Sequence, residues 1–474
     1  MTRRPNIVLI NCDDLGYGDL GCYGSDAHDT PRIDHLAAEG TMLTSFYMAA
    51  PVCTPSRGAM LTGCYPPRIG FDDFDGQRVL FPGMRYGLNP SETTMASMLK
   101  AAGYRTHIVG KWHCGDQPDF LPTNHGFDTW FGLPYSNDMG NQAGTWGEEE
   151  IATLEAAGFQ LPPLPYPPLP VMSDTEVVEA QPDQTMLTRR YVDHAIDQMR
   201  AAGDDPFFLY FAHMHVHLPL YVEDRFHDGS RNGPYGAAVH AIDWATGALL
   251  DELDHLGLAD DTIVIFTSDN GALARPGEGS NLPLRGRKGS TRDGGMRVPC
   301  IVRWPGRVPS DRVSDELTSA IDLLPTLATW CRVSRPEVGP IDGHDLADVL
   351  AGSASSPRDV FAYYDPRYLE AVRDDRYKLR LIAGRDGDRR SVRELYDLAS
   401  DIGETTDVAA DHPDVVARLE AAATAIRDEL GDAMDASTGT SRRRVGTVPV
   451  GHHLTSADGA HPIIIAEYDL ADRG

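Results

Sequence analysis

The pentapeptide Cys53-Thr54-Pro55-Ser56-Arg57 combines a thiol, a proline and an arginine. Pro55 suits the first turn of a helix, because the N–H that it lacks would have no partner there. Cys53 is therefore expected near a helix N-terminus, where free N–H groups and the helix dipole favour anions. Arg57 lies about one helical turn further on and can face the same spot. The segment predicts an oxyanion site with a reactive atom in it; a buried, inert cysteine is the alternative.

Four polar clusters each follow a short apolar run of the kind that forms a buried parallel strand. In chain order they are Asp13 with Asp14, Lys111 with His113, the alternating His213, His215 and His217, and Asp269 with Asn270. The predicted strands before them cover residues 6–10, 105–109, 206–212 and 262–266. Ligands of parallel sheets bind at the carboxyl edge of the strands. We therefore expect the four clusters and Cys53 to form a single site.

Strands alternate with helical patterns along most of the chain, which predicts an α/β fold. Helices are expected over residues 187–202 and 236–257, and from an N-cap at Asn89, with Glu92 at the capping-box position, to a stop at Gly103. The predicted architecture is a large mixed, mostly parallel sheet sandwiched by helices.

The pattern of predicted elements changes near residue 355. Short strands are predicted at 360–364, 369–372 and 377–382, followed by a helix over 414–430. We expect a domain over residues 1–355 that carries the site. Residues 356–474 would form a smaller C-terminal antiparallel-sheet α+β subdomain with a tail of little pattern.

Charge narrows the range of partners. The chain has 42 basic and 70 acidic residues and a net charge of −28. Such a surface repels nucleic acid and anionic membranes, so neither is an expected partner. It also argues against long polyanionic glycans, unless a local basic pocket overrides the overall field. A small substrate is favoured.

The N-terminal residues and the cysteines are the sequence features that bear on the cellular location of the protein. The first apolar run, residues 7–10, is shorter than the ~7–15 residues of a signal-peptide core, and no run approaches the ~20 that span a bilayer. The seven cysteines form no C-x-x-C pair, which suits reduced thiols. A cytoplasmic location is predicted, with a removed leader as the alternative.

Two further segments have competing interpretations. The three alternating histidines could form a zinc site, but no partner cysteine or acid lies nearby in sequence. The proline-dense residues 161–170 are either a polyproline recognition segment or an ordered surface insertion, and an insertion is commoner in enzymes. Residues 68–89 and 134–183 are expected to rim the pocket, where Phe74, Phe81, Tyr86 and Trp146 could stack on a ring.

Taken in order, these motifs resemble those of the formylglycine-dependent sulfatases, an arylsulfatase-like family of the alkaline phosphatase superfamily. The similarity covers nearly the whole chain. The matching segments are residues 13–14, 53–57, 110–113, Tyr135-Ser136-Asn137-Asp138, 217–219, 268–271, Arg287-Lys288-Gly289 and 394–397.

The resemblance implies that a formylglycine-generating enzyme oxidises Cys53 to formylglycine. A thiol would form a stable adduct with sulfur, whereas a hydrated aldehyde has two hydroxyls on one carbon. One hydroxyl attacks the sulfur, and the other expels sulfate as the carbonyl reforms, so covalent catalysis divides one hard step into two.

Asp13, Asp14, Asp269 and Asn270 provide oxygen donors that suit a hard cation better than zinc. By resemblance the cation is Ca²⁺, with Mg²⁺ as the alternative, and the group derived from Cys53 joins the shell. Three carboxylates and one divalent ion leave a negative charge, so Arg57, Lys111 and Lys288 are expected to stabilise the sulfuryl oxygens.

The resemblance also implies the proton-transfer groups. His217 and Lys288 would protonate the leaving alcohol, and His113 would be the base in the second half of the reaction. Ser136 would bind the sulfate together with Lys111, His217 and Lys288.

The predicted function is hydrolysis of a small organic sulfate ester to an alcohol and inorganic sulfate. A phosphonate or phosphate ester hydrolase of the same superfamily is one alternative, and a catalytically silent sulfate-ester-binding homologue is another. The oligomeric state is open, because the apolar run at residues 463–465 of the tail could pack on a neighbouring copy or on its own domain.

Overall fold

The computed structural model describes residues 4–140, 166–275, 277–334 and 339–456. A ten-stranded sheet forms the centre, in the spatial order β12 (Arg312–Ser314), β2 (Thr41–Leu43), β11 (Cys300–Arg303), β10 (Thr262–Ser268), β1 (Asn6–Cys12), β9 (Phe207–Ala212), β5 (Arg105–Gly110), β6 (Thr129–Gly132), β7 (Pro170–Ser173) and β8 (Glu176–Ala180). Strands β7 and β11 run antiparallel to their neighbours, and the central strands from β10 to β6 are parallel. The predicted large, mostly parallel sheet is confirmed.

The central strands form because their continuous apolar runs can be buried on both faces of a sheet. All seven residues of β1 are buried. Successive side chains point to opposite faces, so Ile7 and Leu9 join one apolar cluster and Val8 and Ile10 join the other.

Helices cover both faces of the sheet. They are α1 (Pro31–Ala38), α2 (Cys53–Thr62), α3 (Met95–Ala101), α4 (Leu187–Ala202), α5 (Gly233–His255), α6 (Asp293–Met296), α7 (Leu323–Cys331), α8 (Ala347–Leu350) and α9 (Pro413–Leu430). Side chains of α1, α4 and α5 pack on the Val8 face, and those of α2, α3, α7 and α8 pack on the Ile7 face. No helix of the described residues is both long and apolar enough to cross a bilayer.

The helix predicted to start at Asn89 begins later. Helix α3 starts at Met95, after Thr94, whose side chain accepts a 3.0 Å hydrogen bond from the N–H of Ser97. Glu92, expected to complete a capping box, instead pairs with Arg443 at 2.8 Å, and its N–H donates to the Asn89 carbonyl in a turn. The distant arginine therefore competes with the local cap.

A four-stranded antiparallel sheet follows, made of β14 (Phe361–Asp365), β15 (Tyr368–Arg373), β16 (Tyr377–Ala383) and β17 (Arg390–Asp397). Three of these strands and helix α9 were predicted, and β17 was not. The smaller antiparallel sheet is confirmed, whereas the boundary at residue 355 stays a prediction.

The segment after α9 folds back over the first part of the chain. Strand β18 (Gly446–Thr447) pairs with β4 (Tyr86–Gly87), and Arg442 contacts Asp72 at 2.7 Å. A further short pair joins β3 (Phe46–Tyr47) to β13 (Thr318–Ser319). The apolar run at 463–465 lies outside the described residues.

The expected pocket rim is corrected in part. Phe74 is fully buried, with its ring edge-on to Phe71 at 5.0 Å, so it has no face for a ligand. Trp146 and residues 161–165 of the proline-dense segment lie outside the described residues. The region 140–184, which shows no periodicity, contains the two strands β7 and β8.

Candidate active site

The site lies where four adjacent strands end. Strands β10, β1, β9 and β5 are neighbours in the sheet, and their register places Cys12 beside Ser268 and Gly110 beside Ala212. The polar residues that follow each strand therefore begin at the same level of the sheet. The predicted meeting of the four clusters is confirmed.

Cys53 is the first residue of α2, whose ten residues are all buried. The helix ends at Gly63, which adopts a left-handed φ of 67° that glycine tolerates. Burial raises the pKa of the Cys53 thiol to about 12, although Lys111 and Lys288 lower it in part. The thiol is protonated at neutral pH and is a weak nucleophile in this form.

Three carboxylates and one amide surround Cys53. The N–H of Asp14 donates to Asp269 Oδ1 at 3.2 Å, and Asn270 Nδ2 donates to Asp14 Oδ1 at 2.7 Å. Single ligand atoms of Asp13, Cys53 and Asp269 lie within 4.8 Å of one another, and so do those of Asp14, Cys53 and His217.

Each carboxylate has a close cationic partner. Arg57 Nε donates to Asp269 Oδ2 at 2.8 Å, Lys111 Nζ to Asp13 Oδ2 at 2.5 Å, and Lys288 Nζ to Asp14 Oδ2 at 2.7 Å. The members of the first two pairs are wholly buried. Buried charges require such partners, because desolvation would otherwise neutralise them.

The carboxylates differ in acidity. Burial by itself would raise the pKa of Asp13, but Lys111, followed by His217 and Arg57, holds it well below its usual range. Burial, followed by repulsion from Asp13, raises the pKa of Asp269 to about 6. The negative charges are crowded, which is the condition that a bound cation relieves.

The oxygen donors fit a hard cation. Asp13 Oδ1 and Asn270 Oδ1 are buried and accept no hydrogen bond within the described part of the chain. Unpaired buried oxygens are costly, and these two lie among carboxylates of the kind that Ca²⁺ or Mg²⁺ prefers. The residues present therefore fit the predicted group.

His113 is held as a neutral base. Its Nε2 faces the Leu80 carbonyl at 2.9 Å, so Nε2 carries the proton and Nδ1 is an acceptor, 3.5 Å from Ser136 Oγ. Burial, with repulsion from Lys111, lowers its pKa well below the usual value. Ser136 accepts a 2.7 Å hydrogen bond from Lys111 Nζ.

His217 lies on the other side of the carboxylates. Its Nε2 is 3.9 Å from Asp14 Oδ2, and its Nδ1 is 2.6 Å from the Leu218 carbonyl. His213 and His215 are fully buried, and neither joins a potential metal group within the described residues. The zinc alternative for the histidine triplet therefore has no support.

Two positioning contacts were missed. The Leu80 carbonyl orients His113, and the Leu80 N–H donates to Thr54 Oγ1 at 3.1 Å. Thr54 thus ties the loop of residue 80 to the start of α2. The position of Thr54 next to Cys53 could have indicated its role from the sequence. The role of Leu80 could not, because a backbone carbonyl does not depend on the residue type.

Comparison with known proteins agrees with this geometry. The Sulfatase family model matches residues 5–333, and the model "N-sulphoglucosamine sulphohydrolase, C-terminal" matches residues 288–429. Arylsulfatase A of Homo sapiens is 39% identical over 451 residues, covering 89% of this chain and 87% of its own. Steryl-sulfatase of Mus musculus is 40% identical, covering 78% and 69%.

A solved structure shows the same fold. The PsFucS1 sulfatase from Pseudoalteromonas sp. superposes with a TM-score of 0.78 at 28% identity, covering 89% of this chain and 90% of its own. The family match spans more than half of the chain, and the relatives are named as enzymes that hydrolyse sulfate esters. The chain belongs to the sulfatase family and is a sulfuric ester hydrolase.

Proposed function

We propose that this sulfatase cleaves a small organic sulfate ester through a formylglycine derived from Cys53, assisted by Ca²⁺ or, alternatively, Mg²⁺. The observation that carries the proposal is the ring of three carboxylates, each paired with a cation, around the buried Cys53. The overall reaction adds water across the ester, releasing an alcohol, sulfate and a proton.

The modification addresses the weakness of the thiol. Cys53 is 2% exposed and its pKa is about 12, so thiolate is scarce at neutral pH. Formylglycine supplies, as its hydrate, a hydroxyl nucleophile and a second hydroxyl whose deprotonation releases sulfate. Because Cys53 is buried, a formylglycine-generating enzyme must reach it before the fold closes.

Asp13, Asp14, Asp269 and Asn270 would hold the divalent cation. The cation supplies electrostatic stabilisation of negative charge at the reacting centre. Asp13 Oδ1 and Asn270 Oδ1, buried oxygens that accept no hydrogen bond from the described residues, support this assignment.

Lys111, Lys288 and Arg57 offset the negative charge. Three carboxylates carry more negative charge than one divalent cation neutralises. An anionic ester therefore needs further cationic side chains beside it in order to bind. Lys111 Nζ reaches both Asp13 and Ser136, which places an ammonium and a hydroxyl together for the sulfuryl oxygens. Arg57 is fully buried and acts through Asp269.

Proton transfer in the reaction requires one protonated group and one unprotonated group. His217 or Lys288 would give a proton to the alcohol oxygen as the S–O bond breaks. His113 presents an unprotonated Nδ1 and would accept a proton in the second half of the reaction. The neutral form of His113 results from burial and from the neighbouring Lys111.

The proposal is tested on protein produced together with a formylglycine-generating enzyme. We expect the peptide that contains Cys53 to have the mass of the aldehyde or its hydrate, and the protein to release sulfate from 4-nitrophenyl sulfate. Cys53→Ala should fold and release none. Active protein with only the thiol at residue 53 would overturn the mechanism.

The same protein separates the alternatives. A phosphate monoester is dianionic and needs more compensating charge than a monoanionic sulfate ester, so sulfate turnover should exceed phosphate monoester turnover; a phosphonate monoester, monoanionic like the sulfate ester, is compared alongside. The reverse ranking would favour the phosphonate or phosphate ester hydrolase. Absence of both activities in modified protein would favour a silent binding homologue. The cytoplasmic location and an oligomeric state stay predictions.

A further inference from the structure

A cavity of about 760 Å³ lies between the loop of residues 285–292 and the four-stranded sheet. Six arginines line it: Arg285, Arg287, Arg292, Arg380, Arg385 and Arg390. The carboxylates among its described lining residues are Glu370 and Glu394. The lining therefore has an excess of positive charge in a chain whose net charge is −28.

This cavity shares a wall with the catalytic cluster. Lys288, whose Nζ contacts Asp14, lies between the lining residues Arg287 and Ser290. Gly289 then donates from its N–H to the Pro51 carbonyl at 2.7 Å, two residues before Cys53. The Gly289 carbonyl accepts from Arg78 at 3.0 Å and from Arg385. One loop thus separates the two sites.

Part of the positive charge is already paired. Arg380 contacts Glu394 at 2.8 Å, and Arg292 contacts Glu404 at 3.0 Å. Glu370 pairs with Arg389 at 3.4 Å and accepts a hydrogen bond from Thr291, so its charge is also partly offset.

The remaining charge is available to a ligand. Arg287 and Arg390 are exposed, and neither they nor Arg385 forms an ion pair with a carboxylate whose side chain the structure describes. Burial, followed by repulsion from Arg78 and Arg287, lowers the pKa of Arg385, although Asp365 and Glu370 raise it in part.

We propose that this arginine-lined cavity binds a second anionic group, a sulfate or a carboxylate, of the same molecule whose scissile sulfate lies at Cys53. The substrate class is then a sulfate ester with at least two negative charges on a polar, carbohydrate-like frame. The assignment of the scissile group rests on the proposed function.

Guanidinium groups suit this task. Their planar donors bind carboxylate or sulfate oxygens in pairs, and a concave cationic site concentrates the local field. A short polyanionic ligand can therefore approach despite the negative surface. A chain with a net negative charge can bind a polyanionic ligand where a local basic pocket overrides the overall field. This cavity is such a pocket.

Binding is measured by calorimetry on Cys53→Ala protein, which needs neither modification nor turnover. The ligands are monosulfated and disulfated disaccharides with a uronate carboxylate, and 4-nitrophenyl sulfate, which has one negative charge. The test variant adds Arg287→Ala and Arg390→Ala, and the control adds Arg189→Ala and Arg444→Ala, two exposed arginines outside this cavity. A second test variant, Arg390→Glu, reverses one charge on β17 without touching the Lys288 loop.

We expect at least one disaccharide to bind more tightly than 4-nitrophenyl sulfate. Both test variants should weaken that binding tenfold or more, while binding of 4-nitrophenyl sulfate and binding by the control change less than twofold. Equal weakening for both kinds of ligand, or an unchanged disaccharide affinity, would overturn the proposal. So would the absence of any disaccharide that binds more tightly than 4-nitrophenyl sulfate.

Turnover separates this proposal from the proposed function. If modified wild-type protein hydrolyses no sulfate ester but disaccharide binding still depends on the arginines, the proposed function fails and the anion cavity stands. If aryl sulfate is hydrolysed and no disaccharide binding depends on the arginines, the cavity assignment fails alone.

Discussion

Arg57 and Asp269 join the Cys53 helix to the end of strand β10 through a fully buried ion pair of 2.8 Å. The Arg57 guanidinium also donates to the Lys111 carbonyl at 3.1 Å, so one side chain connects three of the segments that form the site. Burial raises the pKa of Asp269, and Arg57 opposes that rise. The pair therefore supports both the fold and the ionisation of a proposed cation ligand.

Arg57→Ala should lower the free energy of unfolding by about 3–5 kcal/mol, because it leaves the Asp269 charge buried without a partner. Urea unfolding measures the loss. Arg32→Ala is the matched control, since its ion pair with Asp251 is exposed and should contribute less than about 1 kcal/mol. Equal losses in the two variants would contradict the structural role given to the Arg57 pair.

Divalent cation should stabilise the protein through the carboxylate cluster. A ligand that binds only the folded state at a hundredfold excess over its Kd adds about 2.7 kcal/mol. We expect Ca²⁺ to raise the Tm of chelator-treated protein, and Asn270→Ala to reduce the shift by removing an oxygen donor. A Tm that responds neither to Ca²⁺ nor to Mg²⁺ would remove the proposed cation site.

His217→Ala should affect esters according to their leaving group. An alkyl alkoxide needs a proton as it departs, so its sulfate ester should lose about 10²–10⁴-fold in kcat. A nitrophenolate leaves without one, so 4-nitrophenyl sulfate should lose much less. His227→Ala, a change to an exposed histidine, serves as the control. A uniform loss across esters would exclude His217 as the proton donor and would indicate a binding role.

Gly110→Ala should abolish folding or lower stability severely. A Cβ at this residue would lie 1.9 Å from the Ala212 carbonyl oxygen, between β5 and β9, and the φ of 109° already disfavours a side chain. Gly103→Ala has a φ of 88° but meets no atom within 4 Å, so its cost should reflect backbone conformation alone, about 1 kcal/mol. Circular dichroism and urea unfolding compare them, and similar stabilities would refute the steric argument.

Asp243 should make stability depend on pH. It caps α1 by accepting from the N–H groups of Arg32 and Ile33, and burial raises its pKa to about 6. Between pH 4 and 6 the unfolded chain releases this proton and the folded protein keeps it, so stability from this group falls as pH rises. Relative to Asp243→Asn, the wild type should lose up to about 3 kcal/mol across that window. An unchanged difference between the two proteins from pH 4 to 6 would show that the Asp243 pKa is not raised.

Local sequence determined the elements that carry the site. Apolar runs specify β1, β5, β9 and β10, because such runs are stable only when buried on both faces. Helix α4 matches its predicted bounds, since its apolar stripe repeats at helical spacing and needs no distant partner to be recognised.

The residue types that form the site could also be predicted from the sequence. Asp13, Cys53, Lys111 and Asp269 are each adjacent to an element that can be predicted from a few neighbouring residues. Their functional types and their order along the chain could therefore be read before any distance was known.

Tertiary structure decided what depends on residues far apart in the chain. Glu92 pairs with Arg443 instead of capping a helix at Asn89. The Leu80 carbonyl determines which ring nitrogen of His113 carries the proton. The arginine-lined cavity likewise combines residues 285–292 with residues 370–394. Hydrophobic periodicity is a local property, whereas pairing, burial and the balance of charge depend on which distant segments the packed chain brings together.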